Sequence, residues 1–273
     1  MRPTGLCELC HEHSEMQDSH FIPKALYRLL LCESRNPNSY LFSTNGVRQI
    51  SRQATQYLLC ANCETRFDHN GENWVMRHLY RGRGIFRLRS VLRQSNQVVN
   101  HEDTVIYSAT SIPEIDIDKL VYFAASIFWR ASVRNWQFWD QTHEALKLGI
   151  DQEALRAYLL GKSPFPSNAV VNVMLSHLES PDLAVMMPET LTEDGFDVHR
   201  FHIPGITFQL YLGKQLPKGC SDCCVLRSPI HPIYVAKHGD ALVLISLLAL
   251  AGKIKTPAPN DSVMDVYKKL LTD

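Results

Sequence analysis

Cys7-Glu8-Leu9-Cys10 and Cys60-Ala61-Asn62-Cys63 are the two stretches that decide the fold of the N-terminal part of this chain. Each cysteine pair has the spacing of a metal-binding knuckle, in which two thiolates reach the same ion about 2.3 Å from each sulfur. Together, the two pairs can surround one ion tetrahedrally. We therefore predict a structural Zn²⁺ held by Cys7, Cys10, Cys60 and Cys63; the alternative is a set of free buried thiols.

The long interval between the knuckles can accommodate a second functional element. It contains Asp18-Ser19-His20-Phe21-Ile22-Pro23-Lys24, in which a histidine is followed by apolar residues and a proline. Patterning predicts a strand over 17–22, a helix over 23–32 opened by the proline, a turn-rich segment over 36–45, a strand over 56–59, and a helix from about Glu64 whose continuity Gly71 weakens.

Taken together, these pieces resemble the HNH endonucleases. That family combines a first cysteine pair, an acidic-histidine dipeptide with apolar residues and proline after it, and a Leu-Leu-Cys-x-x-Cys knuckle followed by a metal ligand. The resemblance covers about the first eighty residues, and segment 126–132 resembles an extension found in some bacterial HNH-like proteins. It implies a ββα-metal fold holding Mg²⁺ or Mn²⁺, with His20 as the general base that activates water against a phosphodiester.

The predicted ligands of the catalytic ion depart from the family pattern. The residue directly before the histidine is Ser19, and the aspartate, Asp18, stands one position earlier. On a strand, Asp18 and His20 share a face, so either the strand bulges to bring Asp18 to the ion or other groups hold the ion. The position after the last knuckle cysteine is Glu64, whose carboxylate suits a hard divalent cation.

Two further acids follow Glu64 at intervals of four residues. Asp68 and Glu72 would lie with Glu64 on one helical face, and a metal site would explain three repelling carboxylates. An exposed acidic face paired with arginines is the alternative, which we favour for Asp68. We therefore predict Asp18, Glu64 and Glu72 as ligands of the catalytic ion, and retain His69 as a second imidazole close to the site.

Positive charge is concentrated just after the second knuckle. The formal net charge of the chain is zero, which argues against a polyanion-binding surface over the whole protein. The run from 77 to 93, however, is rich in arginine and has no acidic residue. We predict phosphate contacts by five of these arginines, while a solvated strand or loop is the alternative: Arg77, Arg81, Arg83, Arg87 and Arg89.

The chain of 273 residues, with 45% hydrophobic and 21% charged residues, has the composition of a folded globular protein. We predict an α+β protein with two parts, an HNH-like module with its arginine-rich tail over 1–95 and a mixed helix and strand domain over 96–273. The second part is expected to contain helices over 120–139 and 141–160, and strands over 170–175, 183–187, 201–212 and 232–236. Residues 1–6 lack the pattern of a secretory signal, and a cytoplasmic location without membrane contact is expected.

Other residues carry weaker signals. Cys220, Cys223 and Cys224 with His231 could form a second metal site, but they lack a second spaced pair and are more simply thiols. The tryptophans Trp129, Trp136 and Trp139 could stack on bases, but lie in the most apolar stretch and are expected in the core.

The function implied by the resemblance is a metal-dependent endonuclease acting on DNA, with RNA as an open alternative, in defence against phage. Its expected cofactors are structural Zn²⁺ and catalytic Mg²⁺ or Mn²⁺, and a homodimer or a partner protein of a defence complex is compatible with this reading. Two alternatives stay open. One is a catalytically inactive, zinc-stabilised nucleic-acid-binding or interaction subunit, and the other is an interaction subunit whose C-terminal domain senses a ligand.

Overall fold

A computed structural model describes residues 2–33, 39–43, 46–50, 53–101, 104–110, 112–138, 141–178, 185–193, 196–213, 216 and 219–236. Within these residues the fold is α+β, as predicted. The structure contains a small sheet near the N-terminus, a large sheet, and a long buried helix that contacts both. None of the helices in the described part is long and apolar enough to cross a membrane.

The small sheet carries the first knuckle and the strand that ends in His20. Its strands are β1 (Thr4–Leu6), β2 (His13–His20) and β5 (Thr55–Cys60), paired antiparallel in the order β1-β2-β5. Along the β2-β5 ladder, Met16 pairs with Cys60 and Asp18 pairs with Tyr57. One residue of β2 separates these two pairs, whereas two residues of β5 separate them, so the bulge lies in β5. β2 contains no bulge that would redirect Asp18.

A helical segment with an internal π-helical turn follows β5. It consists of α2 (Ala61–Phe67), a π-helical turn over Asp68–Glu72 and α3 (Asn73–His78), joined by residues with helical backbone angles. A helix was predicted from about Glu64, and the observed segment begins at Ala61 and stays helical through Gly71, which lies in the π turn. A Cβ atom at this position would lie 2.8 Å from the backbone nitrogen of Phe123, so glycine allows the close approach of the next helix.

The large sheet has nine strands in the order β4-β3-β11-β12-β13-β10-β14-β7-β6. Neighbouring strands run antiparallel except at the β3-β11 and β10-β14 pairs, which are parallel. Residues from both predicted parts of the chain contribute to it. The strands are β3 (Ser39–Ser43), β4 (Gly46–Ile50), β6 (Gln97–His101), β7 (Thr104–Ser108), β10 (Ala169–Ser176), β11 (Val185–Glu193), β12 (Phe196–Ile203), β13 (Ile206–Leu212) and β14 (Pro232–Ala236).

The long helix α5 (Ile117–Val133) joins the two sheets. Its side chains are buried along most of its length, and Asp116 caps its first turn by accepting from the backbone nitrogen of Lys119. Phe128 contacts Phe201 of the large sheet, with ring centroids 4.9 Å apart. The other side of α5 contacts the N-terminal part, where Trp129 packs edge-on against Phe67. One buried hydrophobic cluster therefore includes residues of both predicted parts.

The remaining elements are helices α1 (Lys24–Glu33), α4 (Arg87–Leu92) and α6 (Asp151–Leu159), the hairpin of β8 (Trp136–Phe138) and β9 (Gln141–His143), and a 3₁₀ turn over Cys220–Cys223. The predicted helix over 23–32 and the strands over 170–175 and 232–236 are confirmed. The prediction that 141–160 is helical is wrong before Asp151. The proposed turn-rich segment contains β3, and 201–212 is a hairpin broken at Pro204–Gly205 rather than one strand.

The hairpin break has a local cause. Gly205 adopts a left-handed backbone with φ of 78°, and a Cβ atom there would lie 2.8 Å from the Phe86 ring. The apolar stretch 241–251 has the composition of a buried helix, and it lies outside the described residues.

Candidate functional site

The four knuckle cysteines meet at the junction of the small sheet and α2. Their sulfur atoms all lie within 4.8 Å of one another, and the Cys10 and Cys60 sulfurs are 3.9 Å apart. In a tetrahedral zinc site with Zn–S bonds of about 2.3 Å, neighbouring sulfurs are about 3.8 Å apart. The first knuckle closes through a hydrogen bond from the backbone nitrogen of His11 to the Cys7 carbonyl, with His11 in a left-handed conformation.

The electrostatics of this cluster suit a cation. A hydrogen bond from Cys63 lowers the pKa of the Cys7 thiol to about 4, and the Cys60 backbone nitrogen also donates to the Cys7 sulfur. The same contact with Cys7, together with burial, raises the pKa of Cys63. The pKa of Cys7 therefore lies below the usual value for a thiol and that of Cys63 lies above it, and a divalent ion would take the place of the proton between them. The cluster could hold a metal ion such as zinc.

A cleft of about 260 Å³ lies beside the cysteine cluster, and we call it the His20 cleft. Its walls are the end of β2, the beginning of α1, the helical segment from α2 to the π turn, and α5. The lining residues come from both predicted parts of the chain: His20, Pro23, Lys24, Glu64, Thr65, Asp68, Glu72 and Arg130.

His20 is the last residue of β2, and its half-buried imidazole faces this cleft. Its Nε2 atom lies 2.5 Å from Oε1 of Gln53, and its ring is tilted against the ring of Tyr27. The neighbouring Ser19 is buried, and its hydroxyl accepts a hydrogen bond from the backbone nitrogen of Leu59. The Ser19 side chain therefore stabilises the pairing of β2 with β5.

Three carboxylates line the cleft opposite His20. Asp68 is exposed, whereas Glu72 lies close to Arg130 with 14% of its side chain exposed. Burial raises the pKa of Glu72, and the positive charge of Arg130 acts in the opposite direction. The Oε1 atom of Glu64 is buried, and no donor among the described residues reaches it. A buried carboxylate oxygen without a donor fits a cation in this cleft.

Arg130 is the site residue that the sequence analysis missed. Its guanidinium donates to the backbone carbonyls of His20 and Phe21, both at 3.2 Å, and to the carboxylate of Glu72. It also lies over the Phe67 ring, 4.8 Å from the centroid. The signal in the sequence was the single charged residue of the apolar stretch 120–133, because a buried charge requires partners.

Three predicted site residues lie elsewhere. Asp18 is exposed on β2 and does not line the His20 cleft, because β2 lacks the bulge that would turn it inward. His69 is exposed on the π turn and is also outside the cleft lining. Arg89 is buried, and its guanidinium donates to the carbonyls of His177 and Leu178, so it is not available to phosphate.

The other four arginines are exposed: Arg77, Arg81, Arg83 and Arg87.

In the described part of the chain, only the knuckle cysteines form a group of three or more metal-binding side chains with all donor atoms within 4.8 Å. His20 and the three carboxylates thus share a cleft without forming a second group as compact. The Nδ1 atom of His231 is hydrogen-bonded with the Val225 carbonyl, and Cys220, Cys223 and Cys224 are free thiols.

Comparisons of the chain with protein-family models, with curated proteins and with solved structures gave no match.

Proposed function

We propose that this protein is a metal-dependent endonuclease of the HNH type with a structural zinc ion. One observation carries the proposal: His20 and Glu64, whose buried Oε1 atom has no donor among the described residues, line the same cleft, and each lies on an element next to a cysteine knuckle. β2 begins soon after Cys10, and Glu64 directly follows Cys63. Zinc bound to Cys7, Cys10, Cys60 and Cys63 would therefore fix β2, which carries His20, relative to α2, which carries Glu64.

His20 is proposed to take a proton from the attacking water. When Oε1 of Gln53 accepts from Nε2–H, the lone pair of Nδ1 is left to receive that proton. The tilted contact with Tyr27 and the hydrogen bond to Gln53 restrict the orientation of the ring. The exposed arginines Arg77, Arg81, Arg83 and Arg87 would contact substrate phosphates and hold the polynucleotide over the cleft.

Mg²⁺ or Mn²⁺ is the proposed second cofactor. Glu64 and Asp68 are the residues that would hold it, because Glu72 is already paired with Arg130 and Asp18 lies outside the cleft. When bound, such an ion stabilises negative charge on the phosphoryl and leaving-group oxygens. This ligand set replaces Asp18 and Glu72 of the expectation from sequence.

The test is cleavage of supercoiled plasmid DNA with Mg²⁺ or Mn²⁺ by the intact protein and by His20→Ala. We expect the variant to be slower by at least about 100-fold, because general base catalysis contributes factors of this size. His13→Ala is the matched control, since His13 is an exposed histidine at the other end of the same strand, and its rate should not change. Equal cleavage by the intact protein and His20→Ala would remove His20 from the mechanism.

A second candidate function is a catalytically inactive, zinc-stabilised module that binds nucleic acid. The pairing of Glu72 with Arg130 favours it, because this pair occupies one of the three carboxylates of the cleft and leaves fewer groups to hold a catalytic ion. This candidate predicts that DNA is retained but not cut with any divalent ion. Binding of DNA should weaken steeply as the salt concentration rises, because the exposed arginines are proposed to contact its phosphates. Measuring retention and cleavage on the same samples separates the two candidates.

A further inference from the structure

A second hollow, of about 170 Å³, lies beside the His20 cleft, and we call it the Arg81 slot. It is formed between α1 and the end of the helical segment that carries the carboxylates. Its lining combines aliphatic side chains with two arginines and an asparagine: Ala25, Leu29, Asn73, Met76, Arg77, Leu79 and Arg81.

The polar and apolar groups of the slot come from different residues. Leu79 is buried, and Leu29 and Met76 are half-buried, so they provide an apolar surface. Arg77 and Arg81 are exposed, and Nε of Arg77 is held by the Asn73 carbonyl at 2.9 Å. Among the described residues that line the slot, none is acidic. A ligand with a flat apolar part and an anionic part would match this surface.

The slot and the His20 cleft are bordered by the same two elements, α1 and the helical segment from α2 to α3. At the beginning of α1, Lys24 lines the cleft and the next residue, Ala25, lines the slot. On the helical segment, Glu72 lines the cleft and the next residue, Asn73, lines the slot. The two hollows are therefore neighbours, and a polymer bound across the His20 cleft passes close to the slot.

We propose that the Arg81 slot binds one unpaired nucleotide of the substrate. The base would contact Leu29, Met76 and Leu79, and its phosphate would bind Arg77 and Arg81. This inference rests on the proposed nuclease function and names its substrate class: a polynucleotide that is single-stranded beside the bond to be cut. A base in a duplex must leave its stack to enter the slot, whereas an unpaired base avoids most of that cost.

The experiment measures binding of a fluorescently labelled oligonucleotide to the zinc-loaded full chain without added Mg²⁺ or Mn²⁺. Ala25→Trp fills the slot from an exposed helical position, and Ala25→Ser at the same site is its control. We expect Ala25→Trp to weaken single-strand binding by about tenfold, because contacts to one base contribute on this scale. Binding of a duplex of equal length should change less than twofold, and Ala25→Ser should bind like the intact protein.

Arg81→Ala gives a second variant that does not depend on the tolerance of α1 for tryptophan. Its single-strand affinity should fall and the slope of log affinity against log salt should decrease by about 1, as for the loss of one phosphate contact. Lys147→Ala, an exposed cation outside the cleft and the slot, should leave both quantities unchanged.

The outcomes separate this inference from the nuclease proposal. Selective loss of single-strand binding in the slot variants supports the slot even where no DNA is cut, a result that would overturn the nuclease proposal and leave the slot standing. Unchanged binding in Ala25→Trp and Arg81→Ala, or equal losses on single strand and duplex, overturns the slot whatever the cleavage assay shows.

Discussion

Arg130 is the residue on which the arrangement of the His20 cleft depends most directly. Its side chain is 2% exposed, and it joins the carbonyls at the end of β2 to the carboxylate of Glu72 on the π turn. Isolated charges are costly to bury, so Arg130 and Glu72 each make the burial of the other tolerable. The pair therefore holds the end of β2, where His20 lies, against the helical segment that carries the three carboxylates.

Replacing Arg130 by methionine tests this pair. We expect Arg130→Met to lower the free energy of unfolding by about 3–5 kcal/mol, because it leaves a buried carboxylate without its partner. Chemical denaturation of the zinc-loaded protein measures the loss. The control is Arg134→Met, whose ion pair with Glu8 is 40% and 32% exposed and should contribute no more than about 1 kcal/mol.

A double variant separates the pair from simple packing. Glu72→Gln combined with Arg130→Met should recover part of the stability lost in Arg130→Met, since no buried charge then remains unpaired. If Arg130→Met were no more harmful than Arg134→Met, the pair would not hold the cleft together.

At this scale, sequence reasoning placed some residues well and others poorly. His20 and Glu64 could be located because motif spacing fixes their positions on a strand and directly behind a knuckle. Asp18 could not, because the extra residue of the ladder lies in β5, and pairing register is not visible in the β2 sequence. Arg89 was misassigned because an arginine that binds distant carbonyls looks, in sequence, like one that binds phosphate.

Among the elements, the π turn determines how closely the helical segment that carries the three carboxylates approaches α5. Gly71 faces the backbone of Phe123 with no space for a side chain. An additional methyl group would push α5 away from the helix that lines the cleft. The close approach, rather than helix propensity, therefore explains the glycine at this position.

Gly71→Ala should destabilise the protein although alanine favours helices. The added Cβ would lie 2.8 Å and 2.9 Å from the nitrogen and Cα of Phe123, and overpacking of this kind costs about 1–3 kcal/mol. The helix propensity of alanine offsets only about 1 kcal/mol of that cost. We expect a lower midpoint in thermal unfolding, followed by circular dichroism.

Gly5→Ala is the control for this substitution. Its Cβ would meet only the Met16 side chain at an ordinary contact distance of 3.4 Å, so a small change is expected. An increase in the thermal midpoint of Gly71→Ala would show that α5 can move away without cost.

Elements with strong local patterns were predictable, whereas elements defined by distant partners were not. The apolar periodicity of α1 and α5 and the β-branched run of β10 are local signals. β3 lies in a stretch rich in asparagine and serine, and it pairs with β11, which is far away in the sequence. For 141–160, the apolar periodicity extended beyond the residues that form α6, and the hairpin of β8 and β9 lies before them.

For the molecule as a whole, the shared core predicts that residues 1–95 do not fold alone. That fragment lacks α5, so Phe67 and Phe21, which are fully buried in the intact protein, would be exposed. The division of the chain at residue 95 remains a prediction, and this fragment tests it. We expect the zinc-loaded fragment to show poorly dispersed NMR spectra and rapid proteolysis, while the intact chain resists protease. A dispersed spectrum with native-like stability would establish 1–95 as an independent domain.

The contact of Arg130 with the end of β2 also sets the order in which the site can form during protein synthesis. The four cysteines and His20 leave the ribosome well before α5, so the knuckles can bind metal while Arg130 is still to be translated. Glu72 and the carbonyls of His20 and Phe21 gain their guanidinium partner only when α5 has emerged. A nascent chain therefore carries an incomplete cleft until α5 has been made and has left the ribosome.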